Sequence, residues 1–289
     1  MPIPIPMPMP DDNALHASRT TRHTIRYVTA GTGQETLLLI HGLGCSSLEW
    51  SENIDALARS MTVIAVDLIG FGASDKPADF DYLARSQAQQ LLVLLDELGV
   101  DRVHVAGNSL GGKIAIEMAD LAAHRVVSLT LVAAAGAGKD APLPMRLSTL
   151  PWASKFMPFP SFEAFRQGWQ AAFHDPAKLS EERVRQKFAD AQPPEAQRSH
   201  RLTLAGMINL WGFKSADLES LERKTRAIRC KTLIVWGRQD RFLPVEHAQI
   251  FQERMPHAAL HIFDDCGHAP QIERPEEFNR LLETFIQAA

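Results

Sequence analysis

From about Arg19 onward, short runs of β-branched and aliphatic residues alternate with stretches whose apolar residues return every three or four positions. The runs predict strands at residues 25–29, 36–40, 62–66, 103–106, 129–133, 232–236 and 260–263. Several are apolar throughout, as expected of central parallel strands covered on both faces. Between them, Leu91, Leu94, Leu95 and Leu98 share one helical face, and Gly99 stands where a C-terminal cap falls. Leu110, Ile114, Met118 and Leu121 make a second stripe directly after a strand. Strand and helix in alternation predict an α/β fold with a doubly wound, mostly parallel sheet.

The rhythm stops between about Gly138 and Arg226. Here Pro142, Pro144, Pro151, Pro158 and Pro160 precede helix-like segments and a further break at Pro193-Pro194. Aromatic residues concentrate in the same stretch, among them Trp152, Phe156, Trp169 and Trp211. The sheet pattern resumes at Cys230-Lys231-Thr232. The interruption predicts a helical cap (138–226) inserted into an α/β core (19–137 and 227–289). A cap there covers the C-terminal sheet edge, where open α/β sheets bind ligands. The first 18 residues read as a flexible tail. Its prolines at every second position favour extended polyproline II, and a docking arm is the other reading.

Composition narrows the function. The 289 residues are 45% hydrophobic and 22% charged with a net charge of −4, which leaves no electrostatic footprint for nucleic acid or an anionic membrane. The longest apolar stretch, 126–137, is broken by Ser128, Thr130 and Gly136 and is too short to insert into a membrane. The N-terminus has neither a basic leader nor a continuous apolar segment, so no signal peptide is expected. Cys45, Cys230 and Cys266 are odd in number and lack metal-ligand spacing, which fits a reducing, cytoplasmic compartment. A monomer or homodimer is expected.

Candidate chemistry starts at Gly107-Asn108-Ser109-Leu110-Gly111, between a predicted strand and helix. A tight turn there projects Ser109 from the sheet edge above helix N-terminal amides. Serine needs a base. His268, past the last strand, emerges at the same edge, unlike His41, His247, His257 or His261. Asp240 follows the strand at 232–236 and can fix the tautomer of His268, with Asp265 as rival. The order Ser, Asp, His is that of α/β-hydrolases. His41-Gly42-Leu43-Gly44 follows the strand at 36–40, and the N–H groups of Leu43 and Leu110 are the candidate oxyanion donors. In this reading His41 orients the loop. Asn108, Trp152, Phe156, Trp169 and Trp211 are candidate substrate contacts, although the cap aromatics can equally pack cap against core.

These motifs together resemble those of the α/β-hydrolase superfamily over about residues 20–289. The segments 67–77 (DLIGFGASDKP) and 267–278 (GHAPQIERPEEF) resemble further loops of the same branch. The resemblance implies a serine hydrolase acting on a small ester or related carbonyl compound, with no metal or organic cofactor. Epoxide hydrolases and haloalkane dehalogenases use Asp where this chain has Ser109. Gly107–Gly112 resembles the meta-cleavage product hydrolases, but those usually carry Trp where Ala269 stands. Nor does any of Arg166, Arg183, Arg185, Arg198 and Arg201 stand out as the cap arginine for their acidic substrate. The expectation is therefore a carboxylesterase with an apolar acyl or aryl pocket, and carbon–carbon bond hydrolysis is the alternative. A non-catalytic small-molecule receptor on the same fold is the competitor from another class.

Overall fold

The computed structural model describes residues 15–20, 22–150 and 159–288. Its strands are β1 (Leu15–Thr20), β2 (His23–Ala30), β3 (Thr36–Ile40), β4 (Thr62–Asp67), β5 (Val103–Asn108), β6 (Val126–Val132), β7 (Ile208–Asn209), β8 (Gly212–Phe213), β9 (Lys231–Gly237) and β10 (Ala259–Phe263). Eight of them form one sheet in the order β1-β2-β4-β3-β5-β6-β9-β10, and β7 and β8 make a separate hairpin. From β4 to β10 neighbouring strands run parallel, whereas β2 is antiparallel to both β1 and β4.

Strand β3 shows why the sheet needs cover on both faces. Leu38 and Ile40 join one apolar cluster and Leu37 and Leu39 the other, all four with no exposed surface. The first cluster takes in α2 (Ala84–Glu97), α3 (Leu110–Leu121) and, near the chain's end, the helix Glu246–Arg254. The second is closed by α1 (Ser51–Leu57) and the last helix, Pro275–Gln287.

Between β6 and β9 lie α4 (Leu143–Ser148), α5 (Phe162–Gln170), α6 (Glu181–Ala191), α7 (Pro194–Met207) and α8 (Ser215–Ala227). The remaining helices are α9 (Glu246–Arg254), α10 (Pro270–Glu273) and α11 (Pro275–Gln287). The pattern assigns residues through 226 to the cap, yet α8 packs on α3. Leu221 enters the first core cluster, Lys113 pairs with Asp217, and Lys224 meets Glu117 at 2.6 Å. Burying Lys113 is costly without that acid, and the pairing draws α8 into the core layer.

The tail also ends earlier than the pattern implies. Residues 15–18 belong to β1, with Leu15 opposite Val28 and Ser18 opposite Ile25. The proline repeat lies outside the described residues. Among those described, no helix is long and apolar enough to cross a membrane.

Candidate active site

Strand β5 runs into α3 through Ser109, whose backbone adopts φ 54° and ψ −112°. A side chain at positive φ costs about 1–3 kcal/mol and persists only where its surroundings enforce it. Here the Ser109 N–H donates to the Val132 carbonyl (2.9 Å) and its carbonyl accepts from Ala135 (3.0 Å). The glycine at 107 is required by contact: a Cβ there would stand 2.3 Å from the Gly111 carbonyl. The turn closes because neither position has a side chain.

His268 arrives from the loop after β10, and its Nδ1 lies 2.7 Å from Asp240 Oδ2. The other oxygen, Asp240 Oδ1, accepts the N–H groups of Phe242 (2.8 Å) and Leu243 (2.9 Å), so the carboxylate is oriented on both sides. Burial opposes a charged ring at His268, but the Asp240 carboxylate outweighs it by charge and hydrogen bond, and Glu49 and Glu273 add to it. The imidazole pKa is consequently raised above its ordinary value. With Nδ1 committed to Asp240, Nε2 is the nitrogen left for Ser109. Asp265 faces His174 at 3.7 Å instead.

The loop after β3 is braced from below. His41 Nε2 accepts the Leu68 N–H (3.0 Å), which leaves Nδ1–H to donate to the Gly42 carbonyl (2.7 Å). Burial pushes the His41 pKa down, so the ring is a neutral strut. The Gly42 N–H donates to the buried Glu49 carboxylate (2.7 Å). Leu43 follows, and Leu110 opens α3, where no carbonyl one turn back can take its N–H.

Leu43, Leu110, Ser109 and His268 line one cavity of about 50 Å³. Among the described residues that line it, the only polar side chains are Ser109 and His268. Met145 from α4, Leu204 and Met207 from α7, and Phe213 from the hairpin roof it, and Phe242 and Leu243 close the side. Sequence reasoning misses these residues because no motif marks them. Phe242 alone carries a hint: it lies two residues past Asp240, and its ring stands 5.3 Å from that of His268.

The other expected contacts fall elsewhere. Asn108 is buried, and its amide donates to the carbonyls of Val132 (3.2 Å) and His268 (3.1 Å), tying the two loops together rather than lining the cavity. Trp169 stands against Gly44 and under Lys187, outside the lining. Trp211 is 79% exposed at the hairpin tip, on an outer groove shared with Arg146 and Arg241. Trp152 and Phe156 lie outside the described residues. Phe159, Phe162 and Phe165 gather around Phe188 and pack the cap internally.

None of the five candidate arginines lines the cavity. The sequence reading passes over Lys187, on α6, which is 7% exposed. Its Nζ lies 2.7 Å from Cys45 Sγ and 4.1 Å from the Trp169 ring centre, and among the described residues no carboxylate comes within ion-pair distance. No group of three or more His, Cys, Asp or Glu side chains among the described residues is arranged to hold a metal ion.

Comparison with known proteins agrees with the architecture. The α/β hydrolase fold family profile matches residues 35–275. The chain is 31% identical to a 2-hydroxy-6-oxo-6-phenylhexa-2,4-dienoate hydrolase of Comamonas testosteroni, covering 91% of each protein. It is 29% identical to a 2-hydroxy-6-oxononadienedioate/2-hydroxy-6-oxononatrienedioate hydrolase of Burkholderia vietnamiensis, covering 92% of each. Among solved structures it resembles the 2-hydroxy-6-oxo-6-phenylhexa-2,4-dienoate hydrolase of Rhodococcus sp. strain RHA1, with TM-score 0.81 and 26% identity over 95% of this chain and 99% of the other. A sheet of this order, a strained serine between strand and helix and these likenesses converge: the chain belongs to the α/β-hydrolase fold family and is related to its meta-cleavage product hydrolases.

Proposed function

We propose that this protein is a serine-type hydrolase that cleaves a carbon–carbon bond in 2-hydroxy-6-oxo-dienoates. The observation that carries the proposal is the likeness, over about nine tenths of both chains, to hydrolases named for such compounds. It moves the carbon–carbon alternative ahead of the ester hydrolysis that the sequence alone favours. The site is compatible with this. Ser109 and His268 open into a cavity whose other described lining residues are apolar, which suits the hydrocarbon part of such a substrate.

In the proposed reaction, proton transfer first converts the dienol to its keto form. His268 takes the Ser109 proton as Oγ attacks the 6-oxo carbonyl, and the Leu43 and Leu110 amides hold the oxyanion. Collapse breaks the C5–C6 bond, with its electron pair passing into the hydroxydienoate fragment, which His268 helps to protonate. Water activated by His268 then frees the acyl group as a carboxylic acid. One water is consumed per bond broken.

The test is product analysis with 2-hydroxy-6-oxo-6-phenylhexa-2,4-dienoate. The proposal expects benzoate and 2-hydroxypenta-2,4-dienoate in equal amounts from the wild type and neither from Ser109→Ala. Turnover of p-nitrophenyl esters without any dienoate cleavage would return the protein to the esterases.

A further inference from the structure

The loop that carries His268 is joined to the cap by more than packing. Its His268 N–H donates to the Ala172 carbonyl (2.7 Å), in the turn that follows α5. Glu273, at the end of α10, is 4% exposed and reaches into the same seam. Glu273 Oε1 accepts the Gly267 N–H (2.7 Å), and Oε2 accepts those of His174 (2.8 Å) and Asp175 (3.3 Å). One carboxylate thus takes N–H groups from both sides. The seam is tight, since a Cβ on Gly267 would stand 2.4 Å from the Ala172 carbonyl oxygen and 2.7 Å from the His174 nitrogen. Ala172, Phe173, Leu179 and Val184 of the cap share an apolar cluster with Ala269 and Ile272, which flank the histidine loop.

We propose that Glu273 is a positioning residue for His268: its carboxylate clamps the cap turn 172–175 onto the histidine loop, so the seating of the cap sets where the imidazole meets Ser109. The proposal rests on His268 as the base of the reaction above. Two acceptor oxygens are needed because donors approach from two directions, and a glutamine must point its NH₂ at one set of them. An ionised carboxylate is costly to bury, and among the described residues no cation pairs with Glu273. Burial raises its pKa, and the N–H groups of Gly267, His174 and Asp175 work against that rise.

The charge supplies a signature that packing alone lacks. The acids acting on His268 are Asp240, Glu49 and Glu273, and each favours its protonated form. Nearby, Cys266 is buried beside Glu273, His174 faces Asp265 on the outer side, and Arg274 turns toward the Asp264 carbonyl and Glu277. Losing the Glu273 charge therefore lowers the His268 pKa, whereas loosening the seam without changing charge does not.

The experiment compares Glu273→Gln, Gly267→Ala and the exposed control Glu277→Gln, after confirming folding by circular dichroism and thermal melting. Misplacing a base by a fraction of an ångström to an ångström costs about tenfold to a hundredfold in kcat. Glu273→Gln should show that loss with little change in KM, and its acidic limb should move to lower pH. Gly267→Ala should lose kcat with the limb in place, and Glu277→Gln should match the wild type. The low-field proton resonance of His268 Nδ1–H, followed against pH, reads the same shift without turnover. It decides the clamp even if the wild type hydrolyses none of the substrates and the functional reading fails. A folded Glu273→Gln with wild-type kcat and an unmoved limb overturns the proposal. If that variant does not fold, a folded Gly267→Ala of full activity overturns it instead.

Discussion

Ser109 sits at φ 54°, in a region that glycine occupies freely and other residues occupy at a cost of about 1–3 kcal/mol. Activity and stability should therefore separate at this position. Ser109→Ala is expected to lose about a thousandfold or more in kcat while keeping the strain. Ser109→Gly should be as inactive but more stable than Ser109→Ala by about 1 kcal/mol in urea melts. Equal midpoints would show that the turn imposes no strain. The pH response follows from His268, which is a base only when neutral and whose pKa is raised. The acidic limb of kcat/KM should therefore lie above pH 6.5. Stability runs the other way: a raised pKa contributes fully below about pH 6.5 and is lost as pH climbs through the folded value. A limb below pH 6.5, with chemistry rate-limiting, would mean that Asp240 does not hold the imidazolium as described.

At the scale of elements, the strand–turn–helix unit shows what was legible and why. Strand β3 is apolar at four of its five positions because both its faces are covered, and that pattern needs no structure to read. Gly107 and Gly111 are legible as small residues around the serine, but the contact that demands them is not. A Cβ on Gly111 would lie 2.2 Å from the Ile40 carbonyl oxygen, on a strand 71 residues earlier in the chain. Gly111→Ala should destabilise the fold by about 1–3 kcal/mol through overpacking, measurable as a lower urea midpoint at unchanged slope. An unchanged midpoint would place slack in the elbow that the contacts exclude. Strand β1 was not legible: Leu15, His16 and Ala17 are exposed, and backbone pairing with β2 makes it a strand. Nor was the cavity roof, because only tertiary packing turns Met145, Met207 and Phe213 toward Ser109 while Phe162 and Phe165 turn toward Phe188.

At the scale of the whole molecule, the segment between β6 and β9 does three jobs. Helix α8 joins the core layer through Lys113 and Lys224. The turn after α5 is fastened to the histidine loop through Ala172 and Glu273. Helices α4 and α7, with the β7–β8 hairpin, roof the cavity. That cavity, at about 50 Å³, is smaller than the roughly 150 Å³ of an apolar site that takes benzene. A phenyl-bearing dienoate therefore needs more room than the described lining leaves. The likenesses to dienoate hydrolases, not the motifs, are what favour the proposed carbon–carbon cleavage over ester cleavage, because both reactions would use the same serine, histidine and acid. The most direct measurement is kcat/KM of the wild type on a 2-hydroxy-6-oxo-dienoate beside a p-nitrophenyl ester of matched acyl group, with Ser109→Ala as the blank. A clear preference for the dienoate that vanishes with Ser109 is the expected result. A preference for the ester, or dienoate cleavage that survives in folded Ser109→Ala, would contradict it.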